Sequence, residues 1–413
     1  MAVAPDVACR RALPGGAAEV TARPQTATGA VTAARGFAAG AVHAGIRKSR
    51  LDLAIVHSLV PAVGAGMFTA NRVQAAPVIV SKAHLARAEP QAVVINSGIA
   101  NAATGKQGEL DALATAAETA SLLGIDPEQV LVLSTGVIGV KLPMPKLLAG
   151  LGEIEVSPDG GGEAAEAVLT TDTFAKEAVV RRGGFTVGGM AKGAGMIHPY
   201  LATMLAVVTT DYPLGAGEAH GFLKRAVNQS FNRISVDGEC STNDAVIVLA
   251  NGESGVERTA ATDNEFAGAL GEVCADLAQQ IVADGEGATV LLEIEVNGAA
   301  TAGEANAIAR RIATSPLVKT AAFGRDPNWG RILAAAGSAF CAGGFAQVDV
   351  DRLELRMNGV VLFADGEPTG AEVLLESATC RIELDLGLGT GSATYLASDL
   401  TYDYVRINAE YTT

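Results

Sequence analysis

The chain has 413 residues, 49% hydrophobic and only 18% charged, so it can bury a sizeable core and is not a disordered polymer. Its formal net charge of −15, from 45 acidic and 30 basic residues, excludes a general affinity for nucleic acid or an anionic membrane. Aromatics are 4% while glycine reaches 48 copies, so the interior must be built from Ala, Val, Leu and Ile.

The first 35 residues are rich in Ala, Thr and Pro and read as a disordered extension. Arg10, Arg11 and Arg23 hint at a transit peptide, but Asp6 and Glu19 count against it. No apolar run approaches the roughly 20 residues of a membrane helix, and a cytoplasmic protein is the expectation. Order is expected to begin near RGFAAGAVHAGI. The runs AVVINSGIANAATG, VLVLSTGVIG and KGAGMIHPYLATMLAVVTTD read as buried strands whose ends carry polar groups to a common edge. Helical spacing predicts helices over 108–124, 217–231 and 264–285, the last capped by Gly285. From about residue 290 the texture becomes β-rich, and Asn297-Gly298 and Asn358-Gly359 read as hairpin turns. The expected organisation is a mixed α/β body over 36–290 and a smaller α/β domain over 291–413.

Familiar catalytic signatures are absent: there is no GxSxG, GxxxxGK[ST] or HExxH. GGMAKGAG (188–195) and GLGTGS (387–392) read as glycine-rich turns. The five cysteines are scattered without a CxxC pair, which fits neither a disulfide framework nor a zinc site. The five histidines have no metal-ligand spacing. The seam at Ala202-Thr203, between a glycine-studded turn and the apolar run Met204-Val208, offers another nucleophile. A threonine hydroxyl needs a base, and scission before Thr203 would free an α-amine with a pKa near 8 to serve as one. The same dipeptide also fits an ordinary loop entering a strand.

The stretch MAKGAGMIHPYLATMLAVVTTD resembles the self-cleavage segment of the ornithine acetyltransferase (glutamate N-acetyltransferase) family of arginine biosynthesis. Further family-like blocks run in order from FTANRVQAAPV through VVINSGIANAATG, STGVIG, LTTDTFAKEA and SFNRISVDGECSTNDAV to DGEGAT, GRDPNWGRIL and TYDYVRINAEYTT. The resemblance covers nearly all of 36–413. Ile99 and Ala103 stand where family members often carry Asn and Cys, and neither position is assigned chemistry.

The resemblance implies a helix–sheet–sheet–helix sandwich like that of self-processing amidases. It implies scission between Ala202 and Thr203 into an α chain (1–202) and a β chain (203–413) that associate as α2β2. Thr203 would be the nucleophile, with Thr135 and Gly136 as the oxyanion hole. Thr170 (or its neighbour Thr171), Lys192, Thr203, Glu286, Asn408 and Thr413 would bind substrate. The implied reaction moves acetyl from N2-acetyl-L-ornithine to L-glutamate without metal or organic cofactor, with acetyl-CoA a candidate second donor. A self-processing aminopeptidase or amidase, and an uncleaved amino-acid-binding protein, are the competing readings.

Overall fold

The structure, a computed structural model, describes residues 29–198 and 204–410. The expected scission pair Ala202-Thr203, the terminal Thr413 and residues 1–28 lie outside the described residues.

The body begins with β1 (Phe37–Val42), β2 (Leu53–Ser58), β3 (Val63–Phe68), α1 (Ala76–Leu85), β4 (Ala92–Ile99), α2 (Gly105–Leu123) and β5 (Val130–Val137). It continues with α3 (Met144–Leu151), α4 (Gly161–Ala167), β6 (Lys176–Arg182), β7 (Phe185–Lys192) and β8 (Leu205–Thr210). It closes with α5 (Ala219–Gln229), β9 (Ile234–Ser235), β10 (Ala245–Ala250) and α6 (Ala260–Ala283).

Two sheets form, in the orders β1-β2-β4-β5 and β3-β10-β8-β7-β6. They face each other through Phe37, Val56, Ile95 and Leu133 on one side and Met190, Val207 and Ile247 on the other. The outer face of the first sheet is covered by Ala112, Ala116 and Ala120 of α2 and Leu147 and Leu151 of α3. Leu223 and Val227 of α5, with Phe266, Leu270 and Leu277 of α6, cover the second. The architecture is therefore helix–sheet–sheet–helix. Central strands buried on both faces must be apolar without alternation, which is why Val93-Val94-Ile95 and Leu131-Val132-Leu133 read as continuous runs. The alanines of α2, four residues apart, form a narrow stripe that lets the helix lie close to the sheet.

Element ends differ from the sequence expectations where caps decide them. Helix α2 starts three residues before the expected Gly108 and ends before Gly124, which takes φ 68° as a left-handed cap. Helix α5 is shorter than expected at both ends. Helix α6 begins four residues before the expected start because the Thr259 hydroxyl accepts the Thr262 N–H in a capping box. It ends at Ala283 with Asp284 as its cap, so Gly285 does not close it. Residues 188–192 of GGMAKGAG belong to β7 and are not a turn. Nor is all of 1–35 an extension. Val31 and Ala34 are buried in the inter-sheet core, the Ala30 N–H donates to Glu177 Oε1 at 2.8 Å, and Thr209 Oγ1 donates to the Val31 carbonyl at 2.7 Å. An Ala/Thr-rich composition hid two core residues.

The rest of the chain forms β11 (Leu291–Ala299), α7 (Ala302–Ala313), α8 (Pro316–Phe323), α9 (Trp329–Gly337), β12 (Phe340–Cys341) and β13 (Gly344–Phe345). Then come β14 (Glu354–Met357), β15 (Val360–Ala364), β16 (Glu367–Pro368), β17 (Thr379–Asp385), β18 (Gly391–Ser398) and α10 (Tyr402–Glu410). A seven-stranded sheet runs β16-β15-β14-β17-β11-β18-β9, so the body lends it an edge strand. Its core joins Leu292, Ile294, Ile382 and Tyr395 to Ile308 and Ile312 of α7. Asn358-Gly359 turns β14 into β15, with φ of 47° and 80° as a primed hairpin turn requires. Asn297-Gly298 makes no hairpin: the register of β11 against β18 shifts between Val296 and Ala299 there. A bulge needs the same positive φ, 65° at Gly298, so the dipeptide signal is shared by both.

Candidate active site

The site is assembled from strand ends. Parallel β4 and β5 place Ser97 beside Thr135 and Gly98 beside Gly136 at their C-terminal ends. Gly136 has φ 128°, and a Cβ there would lie 2.2 Å from the Gly98 carbonyl carbon, so no larger residue fits. Asn243 ties this edge down, its Nδ2 donating to the Ala100 carbonyl at 2.6 Å and the Ser134 carbonyl at 2.9 Å.

Lys192 ends β7 with 2% exposure and reaches across to that edge. Its Nζ donates to Thr170 Oγ1 at 2.7 Å and Thr135 Oγ1 at 3.4 Å, and lies 3.8 Å from Asp172 Oδ2. Burial pulls the Lys192 ammonium below its ordinary pKa, opposed chiefly by the Asp172 charge. A substrate carboxylate would favour the charged form further. Burial also works against the Asp172 carboxylate, but Lys176 and Lys192 outweigh it and hold its pKa well below the usual range. Asp172 orders its surroundings: it accepts the Thr170 N–H at 2.9 Å, the Gly193 N–H at 2.6 Å and Lys176 Nζ at 2.7 Å. Fully buried Lys176 also donates to Asp284 Oδ2 at 2.6 Å, two residues before Glu286.

Glu286 faces this cluster from between two glycines. Its N–H donates to the Ala194 carbonyl at 2.8 Å, and Oε2 accepts Asn408 Nδ2 at 2.8 Å. A Cβ on Gly195 would come within 2.5 Å of the Glu286 carboxyl, and one on Gly287 within 2.5 Å of the Tyr404 N, so both glycines make room. Asn408 and Tyr404 come from α10, which brings the chain back to the body.

Thr135, Gly136, Thr170, Lys192, Glu286 and Asn408 line one cavity of about 140 Å³, and Thr171 lines it too. Only Thr170 of that pair bonds Lys192. The cavity is cationic at Lys192, while Asp237, Glu239 and Glu286 give it carboxylates elsewhere. It suits a small zwitterion with one further polar end. Among the described residues no histidine lines it, and no group of His, Cys, Asp and Glu could hold a metal ion.

The segment expected to be cut is held on both flanks by residues 236–245. Asp237 accepts the Met196 and Ile197 N–H groups at 2.5 and 2.9 Å, and the Val236 N–H donates to the Ile197 carbonyl at 2.9 Å. Downstream, the Met204 N–H donates to Asp244 Oδ1 at 3.0 Å, and the Met204 carbonyl accepts the Ala245 N–H at 3.2 Å. Gly193 (φ 154°) and Met196 (φ 59°) supply the unusual backbone upstream.

Asp172, Lys176, Asp237, Asn243, Asp284 and Tyr404 received no role from sequence. The signal for five of them was present in LTTDTFAKEA, SVDGECSTNDAV and DGEGAT, as acids, amides and a lysine in blocks flanked by apolar strands.

The chain matches the ArgJ family over residues 38–413. The arginine biosynthesis bifunctional protein ArgJ of Syntrophotalea carbinolica is 48% identical over 394 residues, which are 92% of this chain and 99% of that one. Its namesake from Symbiobacterium thermophilum is 46% identical over 93% of this chain and 99% of its own. A solved ornithine acetyltransferase from Mycobacterium tuberculosis, complexed with ornithine, is 45% identical, with a TM-score of 0.40 over 41% of this chain and 94% of that one. No helix among the described residues is long and apolar enough to cross a membrane.

Proposed function

The chain belongs to the ArgJ family, an acyltransferase family of arginine biosynthesis, and from that premise we propose how its own residues carry the transfer. The acetyl group moves from N2-acetyl-L-ornithine to L-glutamate through an acetyl ester on Thr203. The observation that carries this reading is the single cavity joining Thr135, Gly136 and Lys192 to Glu286 and Asn408, beside the scission segment.

The precursor cuts between Ala202 and Thr203, leaving chains 1–202 and 203–413 held together by the pairing of β7 with β8 and by the shared inter-sheet core. The freed α-amine takes the Thr203 hydroxyl proton as Oγ attacks the acetyl carbonyl. The Thr135 hydroxyl and the Gly136 N–H hold the oxyanion, a type of contact whose loss costs about 10²- to 10³-fold in rate. The C–N bond breaks, the proton leaves on ornithine, and the acetyl ester remains. The glutamate amine then attacks the ester, N-acetylglutamate departs and the hydroxyl is restored. Lys192 and Thr170 take the substrate carboxylate, while Glu286, held by Asn408, faces the ammonium of ornithine. Thr413 is assigned a further substrate contact by the family resemblance. The steps need no metal or organic cofactor, and acetyl-CoA is a candidate alternative donor. The working form is an α2β2 assembly in the cytoplasm.

Two measurements test this. On a denaturing gel the protein should run as two bands of near-equal size, and Thr203→Ala as one inactive full-length chain. With N2-acetylornithine alone the enzyme should stay acetylated, whereas rapid release of free acetate would point to an amidase instead. A single wild-type band would remove the N-terminal-threonine mechanism.

A further inference from the structure

The loop from β1 to β2 and the loop from β5 into α3 leave the first sheet at the edge that carries Thr135 and Gly136. Strand register puts them there: Val42 pairs with Leu53, Leu53 with Asn96 and Asn96 with Ser134. Over 43–51 and 138–146 these loops carry Arg47, Lys48, Arg50, Lys141 and Lys146 and no acidic residue, in a chain of net charge −15. Lys48, Arg50, Lys141 and Lys146 are exposed, and none of them is in an ion pair among the described residues.

The first loop is pinned from below. Buried Asp52 accepts the Ala44 N–H at Oδ1 and the Arg47 N–H at Oδ2, both at 2.7 Å, and His43 Nδ1 donates to the Arg50 carbonyl at 2.7 Å. Lys146 Nζ donates to the Gly45 carbonyl at 3.2 Å and joins the two loops. The patch also adjoins the cavity. The Arg47 guanidinium donates to the Leu169 and Thr170 carbonyls, and Thr170 lines the cavity. A Cβ on Gly98, which pairs with Gly136, would lie 2.7 Å from Arg47 Cγ. Ile138, at the start of the second loop, is part of the cavity wall.

We propose that Lys48, Arg50, Lys141 and Lys146 bind the phosphates of a coenzyme A thioester, whose pantetheine arm leads into the cavity past Ile138. Coenzyme A carries a diphosphate and a 3′-phosphate, so it needs several cations, and an acidic chain that admits a polyanion needs them grouped. Across the order β1-β2-β4-β5 the outer strands are about 14 Å apart, so the first loop stands about that far from the Thr135 edge. From thioester to first phosphate the arm equals roughly four residues of extended chain, or about 14 Å, which matches the gap. Ornithine and glutamate are too short to touch both places, so these cations serve neither. The assignment rests on acetyl-CoA as the second donor in the reading above, and not on the acetylornithine reaction.

The test is calorimetric titration of the purified enzyme with coenzyme A, 3′,5′-ADP and ATP, repeated on the Lys48→Glu/Arg50→Glu variant. The wild type should bind coenzyme A and 3′,5′-ADP, and the variant should bind both at least about tenfold more weakly, having lost two charge-assisted contacts. The KM for acetyl-CoA should rise by the same factor, while transfer from acetylornithine to glutamate stays unchanged. If the charge-reversed protein does not accumulate, Lys48→Ala/Arg50→Ala carries the same readouts. Equal affinity of both proteins for coenzyme A, no binding by the wild type, or ATP bound as tightly as coenzyme A overturns the assignment. Coenzyme A bound through the patch without acetylation of glutamate from acetyl-CoA would instead remove the second donor from the reading above and leave the binding site standing.

Discussion

Lys192 shows how much a single side chain is asked to do: it is buried, it bonds Thr170 and Thr135, and its charge leans on Asp172. Lys192→Met should raise the KM for both amino-acid substrates by at least about tenfold, since a charge-assisted hydrogen bond is worth about 1.5–3 kcal/mol. Steady-state kinetics with each substrate varied in turn would check this. Gly136→Ala should be inactive and poorly soluble, because its Cβ would sit 2.2 Å from the Gly98 backbone. Gly195→Ala is subtler: its Cβ presses on the Glu286 carboxyl, so a rise in KM for acetylornithine is expected in a folded protein. At this scale the sequence was most legible where a residue is chemically unusual for its setting. Lys192 was named by the family resemblance, inside a stretch expected to be a glycine-rich turn, whereas Lys176 looked like an ordinary charged residue until its two carboxylates were seen.

Between elements, Lys176 on β6 bridges Asp172 in the loop before it and Asp284 at the end of α6, with all three buried. Lys176→Met takes the shared ammonium from both carboxylates, leaving Asp172 only its longer contact to Lys192, and breaking such a buried pair typically costs about 3–5 kcal/mol. Urea unfolding should show that loss as a lower midpoint. Helix α10 behaves in the opposite way, with none of its residues buried. Truncation after Thr401 should leave the fold intact and raise KM, since Tyr404 and Asn408 then leave the cavity. Apolar periodicity located α2, α5 and α6, but the ends were set by Thr259, Asp284 and Gly124. Asn297-Gly298 misled because a bulge and a hairpin ask for the same left-handed backbone.

For the whole molecule, the sandwich buries His57 of β2 at 7% exposure, with neither ring nitrogen bonded to any described residue. Burial lowers its pKa below 6.5, so the folded protein keeps it neutral while the unfolded chain binds a proton. Stability is therefore full above the unfolded pKa near 6.5 and falls as the pH drops below it, by at most about 1.4 kcal/mol per pH unit for this one proton. His57→Leu should flatten that slope between pH 6.5 and 5 in a series of thermal melts compared with the wild type. Strand runs and chain-wide blocks made the layers and the cavity wall legible in one dimension. The network behind the wall was not, because Asp172, Lys176 and Asp284 meet only when β6 and α6 pack. The central claim is an acetyl group carried on Thr203, and mass spectrometry of the β chain after incubation with N2-acetylornithine tests it directly. The account predicts one added acetyl group on the N-terminal peptide that begins at Thr203, discharged when glutamate is added. An unmodified Thr203 peptide during turnover, or an acetyl group on another residue, would contradict it.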